Sequence, residues 1–142
     1  MRLTRVMASG VFDIIHPGHI SYLRQAKSYG DELVVVVACD ETVRRRKHDP
    51  VTPDYMRARI VQELKPVDRA VVGGHGDFMD TVREISPDVI VLGFDQTFDE
   101  AELSRKLEEA GMGNIRVRRA TETADDLNAT RRIIEKIRSM RQ

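Results

Sequence analysis

Two histidines stand three residues apart in Gly10-Val11-Phe12-Asp13-Ile14-Ile15-His16-Pro17-Gly18-His19, where an apolar run gives way to a helical pattern. A neutral imidazole donates a hydrogen bond without carrying an obligatory charge, so a pair of them suits the oxygens of a phosphate. Pro17 fits a first helical turn, where its missing N–H would be an orphan anyway. Gly10 permits a sharp turn after the apolar run, and Gly18 removes a side chain where a phosphate could approach. The free N–H groups of the helix that opens at Pro17 would point at the same space and favour an anion. The stretch therefore reads as a phosphate cradle built from histidine donors. Histidines at a helix start can also simply cap or pack. A zinc reading is weaker, because the HExxH motif needs a four-residue spacing and a glutamate that this stretch does not contain.

The elements around this loop follow from apolar periodicity. Residues 3–8 read as a first strand, and residues 17–29 as a helix with Gly30 as its terminal cap. Residues 33–38, Leu-Val-Val-Val-Val-Ala, are β-branched and apolar on both faces, as a central parallel strand requires. A short helix covers 41–47, and a longer one opens at Pro53 or Asp54 and runs to 64. Strands are expected at 70–72, 89–92 and 115–118. Helices are expected at 78–85, 100–110 and 129–140. Strands that alternate with helices imply an α/β domain, a Rossmann-like, doubly wound parallel sheet of five strands occupying residues 1–142 as one unit. Ligands of such sheets bind beyond the carboxyl ends of the strands. That rule points to loops 9–19, 39–53, 73–77, 93–98 and 119–130, and the histidine pair lies in the first of them.

Composition narrows the function. The chain has 142 residues, enough for one domain with a core. Its 23 lysines and arginines balance 23 acids, which argues against a general nucleic-acid binder. One basic cluster stands out, Arg44-Arg45-Arg46-Lys47. The single cysteine, Cys39, has no internal partner, which fits a reducing cytoplasm. No signal peptide or long apolar span is visible, so a cytoplasmic protein without membrane partners is expected.

The stretch from Gly10 to His19 resembles the (G/T)-x-F-D-x-x-H-x-G-H signature of the cytidylyltransferase-like nucleotidyltransferases. The resemblance implies that His16 and His19 stabilise the phosphates of a nucleoside triphosphate during attack on its α-phosphorus. It also implies that the Val11-Phe12 backbone lies near the nucleotide. In Arg57-Ala58-Arg59-Ile60 it implies that Arg57, or Arg59 beside it, reaches the triphosphate. It makes Lys47, or Arg46, the phosphate contact of a basic loop that closes over the site; the same run could equally be a solvated helix face. Asp95 corresponds to a residue placed near ribose or base, although an aspartate in a loop often only caps a turn. Asp13 is either structural or helps place a divalent ion. Many relatives carry a serine- and threonine-rich run at the start of the last helix. Here Asn128-Ala129-Thr130-Arg131 keeps only the hydroxyl of Thr130, with Arg131 as a possible substitute charge.

Within the superfamily, the stretches GDELVVVVACDETVRRRK, LKPVDRAVVG, PDVIVLGFDQTFDEAEL and RIIEKI, which cover most of residues 29–137, look most like the archaeal-type FAD synthases, which are FMN adenylyltransferases. That likeness implies ATP and FMN as substrates, a divalent cation (Mg²⁺) carried with the triphosphate, and a possible homodimer. Phe12, Phe94 and Phe98 are candidates for the wall of a flavin slot. The alternatives are a CTP-dependent enzyme similar to glycerol-3-phosphate cytidylyltransferases, or a nucleotide-binding module without catalysis.

Overall fold

Five parallel strands lie in the order β3-β2-β1-β4-β5 in a computed structural model that describes residues 2–46, 49–122 and 129–140. In chain order the elements are β1 (Arg5–Gly10), α1 (Pro17–Lys27), β2 (Glu32–Val37), α2 (Asp40–Arg46), α3 (Asp54–Gln62), β3 (Arg69–Val72) and α4 (Phe78–Ile85). They continue with β4 (Val89–Leu92), α5 (Glu100–Glu109), β5 (Arg116–Arg119) and α6 (Thr130–Ser139). The order reverses at β1: the chain first winds outward to β3, then returns to β4 on the opposite side. The crevice above β1 is thus the switch point at which a doubly wound sheet binds ligands.

Strand alternation divides the core between the two faces of the sheet. Val6, Ala8, Leu33, Val35, Val37, Val89 and Val91 pack on one face against Leu23 and Ala26 of α1 and Val61 of α3. Met7, Val34, Val36, Ile90 and Leu92 pack on the other against Val82 and Ile85 of α4 and Leu103 and Leu107 of α5. The central strands β2 and β4 are covered on both sides, which explains their nearly uninterrupted valine, isoleucine and leucine.

The expected elements all appear, those at 78–85 and 89–92 with the expected bounds and the others with ends displaced by at most two residues. β1 starts at Arg5 rather than 3 and extends through Gly10, in register with β2 up to Val37. The first helix ends at Lys27 with Ser28 as its cap, so Gly30 is not the terminator. Gly30 is required for closeness instead, since a β-carbon there would meet the Thr4 carbonyl oxygen at 2.7 Å. Among the described residues, no helix is long and apolar enough to cross a membrane.

Candidate active site

The two histidines are fixed by the helix they open. His16 is the N-cap of α1, and its ring accepts the backbone N–H of Gly18 at Nδ1, 3.0 Å away. The ring of His19 accepts the backbone N–H of His16, also at Nδ1, across 3.3 Å. This is a capping box in which imidazoles replace the usual hydroxyl and carboxylate. The two rings stack with centroids 3.8 Å apart, and Phe12 lies against His19 at 5.3 Å.

The caps determine the chemistry of the pair. A ring nitrogen that accepts an N–H carries no proton, so the neutral ring must hold its proton on Nε2. Burial lowers the His16 pKa, partly offset by the nearby Asp95 carboxylate. Burial, and then the neighbouring His16, push His19 down to about 3, against a smaller opposing pull from Asp13. Both rings are therefore neutral near pH 7, with Nε2–H as the remaining donor of each. Capping and phosphate donation are compatible roles, carried by opposite edges of one ring.

The helix N-terminus is less free than the sequence suggests. The Gly18 N–H is held by the His16 ring, and the His19 N–H bonds the His16 carbonyl at 3.0 Å. Pro17 has no N–H and is exposed. Donation in this loop thus shifts from the helix backbone to the imidazoles, while the helix dipole stays aligned with the site.

The loop between β1 and α1 is strained. Phe12 and Ile14 both adopt φ of +56°. That left-handed conformation costs a non-glycine residue about 1–2 kcal/mol and is unusual for a β-branched one. Gly10 contributes close approach rather than the turn itself, because a β-carbon there would lie 3.1 Å from the Phe12 ring. The strain is held by surrounding bonds. The buried Asp13 carboxylate accepts the Val51 N–H at 2.6 Å, and the Thr52 N–H and hydroxyl at 3.1 and 2.7 Å. The hydroxyl of Thr130, at the start of α6, donates to the Asp13 carbonyl. With its carboxylate occupied in this way, Asp13 is the clamp between two loops rather than an open ligand for a cation.

Arg57 is 1% exposed, and its guanidinium is surrounded by protein. Nε donates to Thr52 O at 2.9 Å, Nη1 to Val11 O and Ala38 O at 2.7 and 2.8 Å, and Nη2 to the Asp40 carboxylate at 2.7 Å. The resemblance assigns Arg57 to the triphosphate; the structure gives its guanidinium these four protein acceptors. The physical reason is its place on the inward face of α3, below the loops. Arg59 is in the last turn of the same helix.

The opposite wall is loop 93–98. Asp95 is exposed there and close enough to His16 to act on its ring electrostatically. Gln96 joins this loop to β1, accepting the Gly93 N–H and donating to Ser9 O at 2.8 Å. Tyr22 ties α1 to the same strands, its buried hydroxyl donating to Val91 O at 2.6 Å. Desolvation pushes that phenol's pKa upward, so it stays protonated.

The structure thus brings together His16, His19, Val11, Phe12, Pro17, Gly18, Asp95 and Thr130 around the carboxyl end of β1. Lys47 lies outside the described residues, and Arg46 is exposed at the end of α2. Of the three phenylalanines, Phe12 is buried, Phe98 packs on Phe78 at 5.2 Å, and Phe94 stays exposed. Asp40, Thr52, Gln96 and Arg119 were not singled out by the sequence. Their importance comes from contacts between separate segments (Asp40 with Arg57, Thr52 with Asp13, Gln96 with Ser9, Arg119 with Gly93), for which the sequence carries no spacing signal. Among the described residues, no cluster of three or more His, Cys, Asp or Glu side chains could hold a metal ion.

Comparison with known proteins supports the fold and places the chain in a family. The cytidylyltransferase-like family matches residues 7–138. A protein named FAD synthase from Aciduliprofundum boonei is 52% identical over 95% of this chain and 91% of its own. Another of that name from Thermoplasma acidophilum is 52% identical over 95% and 94%. The solved structure titled lipopolysaccharide core biosynthesis protein from Thermoplasma volcanium superposes with a TM-score of 0.84. It is 49% identical and covers 86% of this chain and 99% of its own. The chain belongs to the cytidylyltransferase-like nucleotidyltransferase family.

Proposed function

We propose that the protein is an FMN adenylyltransferase, transferring AMP from ATP to FMN to give FAD and pyrophosphate. The observation that carries the reaction class is the pair of neutral, cap-fixed imidazoles at the switch point of the sheet. The acceptor is supported by the relatives named FAD synthase, 43–52% identical over nearly the full chain. In line with that reading, an FMN phosphate oxygen forms a bond to the α-phosphorus of ATP as the bond to the pyrophosphate oxygen breaks. A phosphate monoester is largely ionised near neutral pH, so the step needs no general base. Catalysis then rests on positioning and on stabilising charge at the phosphoryl oxygens.

His16 and His19 supply the Nε2–H donors, and the positive end of the α6 dipole, docked on the histidine loop by Thr130, adds to them. Arg57 positions the loop from below. Asp95 takes the ribose of the nucleotide, and Lys47 and Arg46 are the nearest cations in sequence to meet the phosphates. A divalent cation enters chelated to the triphosphate, as part of the substrate; two copies of the chain as a homodimer belong to the same reading.

A substrate comparison tests donor and acceptor together. Purified protein with Mg²⁺ is given ATP or CTP, each with FMN or glycerol 3-phosphate, and products are separated by chromatography. FAD and pyrophosphate from ATP and FMN alone are expected. A CDP-linked product would move the protein to a cytidylyltransferase branch, and ATP binding without any product would make it a binding module.

A further inference from the structure

Arg119, the last residue of β5, has no part in the cradle, yet its guanidinium is nearly saturated. Nη1 donates to Gly93 O at 2.8 Å and Gln96 O at 3.0 Å, Nη2 donates to Phe98 O, and Nε pairs with the Glu100 carboxylate at 2.5 Å. Four of its five N–H groups therefore hold one six-residue loop and the helix that follows it. The same loop is held from within by Gln96, whose amide accepts the Gly93 N–H and donates to Ser9 O. Ser9 directly precedes the histidine loop.

The arrangement mirrors Arg57 on the other side of β1. Each arginine takes three backbone carbonyls and one carboxylate, Asp40 for Arg57 and Glu100 for Arg119. Each lies under one of the two loops that flank the histidines. A loop whose carbonyls converge on a buried or half-buried cation cannot rearrange without leaving that cation unpaired, which is costly.

The geometry points to Arg119, acting through Gln96, as the positioning residue of the nucleotide-side wall. It fixes the 93–98 loop so that the Asp95 carboxylate stands beside His16 at the height of the ribose. This inference rests on the proposed adenylyl transfer for the identity of the nucleotide. Because Arg119 touches no reacting atom, its removal weakens ATP binding and leaves the transfer step nearly intact. The carbonyls and carboxylate that Arg57 holds on the other side of β1 share none of these bonds.

The test uses the full chain with ATP, FMN and Mg²⁺, measuring steady-state kinetics and, separately, ATP binding by equilibrium dialysis without FMN. Arg119→Met is expected to raise the KM and the dissociation constant for ATP about tenfold, with kcat within about threefold and the KM for FMN unchanged. Arg119→Lys, which keeps a charge but loses the fork, is expected to recover part of the ATP affinity. Gln96→Ala reaches the same loop without removing a charge and is expected to give the same selective loss. Arg119→Met and Gln96→Ala together should be clearly less than additive, because they loosen one loop. A fall in kcat with ATP affinity unchanged would overturn the inference, as would equal losses toward ATP and FMN. If wild type makes no FAD but binds ATP, the adenylyl-transfer reading fails, while the binding comparison still decides the role of Arg119.

Discussion

The ring of His19 accepts the backbone N–H of His16 at Nδ1, and that bond decides which edge of the ring can face a phosphate. With Nδ1 committed in both rings, each imidazole is a neutral Nε2–H donor. Long-range ¹H–¹⁵N NMR should show both rings protonated at Nε2 and unprotonated at Nδ1 at pH 7. An Nδ1–H signal from either ring would contradict the assignment.

The lowered pKa of His19 carries a stability consequence with a definite sign. The folded value, about 3, lies below the ordinary 6.5, so the native state binds fewer protons than the unfolded chain between those limits. Stability from this group is complete above pH 6.5 and is lost as the pH falls through that window. Urea midpoints measured at pH 4.5 and 7 should therefore differ more in wild type than in a His19→Asn variant. Equal differences would show that His19 is not held neutral by the fold.

Asp13→Asn tests the clamp between the strained loop and residues 51–52. The carboxylate accepts three hydrogen bonds, whereas an amide presents an N–H toward one of the donors. A loss of about 1–3 kcal/mol in chemical denaturation is expected, with a fall in turnover as Phe12 and Ile14 relax. Unchanged stability would mean that the left-handed turns are held by other contacts.

The fold was legible because burial writes itself into local pattern. The run from Leu33 to Val37 could hardly be anything other than a strand covered on both faces. The site was legible only where it is local. His16, Pro17, Gly18 and His19 declare a helix start, and a helix start at the end of β1 falls where ligands bind. Residues that act across the chain gave no such sign. Gln96 reaches Ser9 across 87 positions, and Arg57 meets Val11 across 46. Arg57 was singled out by resemblance, but its partners depend on three loops converging beneath the cradle. The sequence points to Gly10 for the turn, whereas the strain falls on Phe12 and Ile14, side chains that sequence alone would never place in a left-handed conformation.

Arg57→Met distinguishes a buried clamp from a phosphate contact. Removing the guanidinium leaves the Asp40 carboxylate and three carbonyls without their donor, so a destabilisation of about 3–5 kcal/mol is expected in urea or thermal unfolding. A residue that only met substrate would change KM or kcat while unfolding stayed the same.

The central claim is that the Nε2–H edge of the histidine pair stabilises the transferring phosphate. Asparagine places its amide oxygen where His19 has Nδ1, keeping the cap on the His16 N–H but offering nothing at Nε2. Glutamine reaches the Nε2 position but loses the cap. Comparing the turnover of His19→Asn and His19→Gln with wild type, at matched folded fraction, separates the two edges of the ring. The account predicts that His19→Asn folds normally and loses about 10²–10³ in kcat, as loss of a preorganised transition-state donor does elsewhere, while His19→Gln retains more turnover despite lower stability. Turnover of His19→Asn within a few-fold of wild type would contradict it.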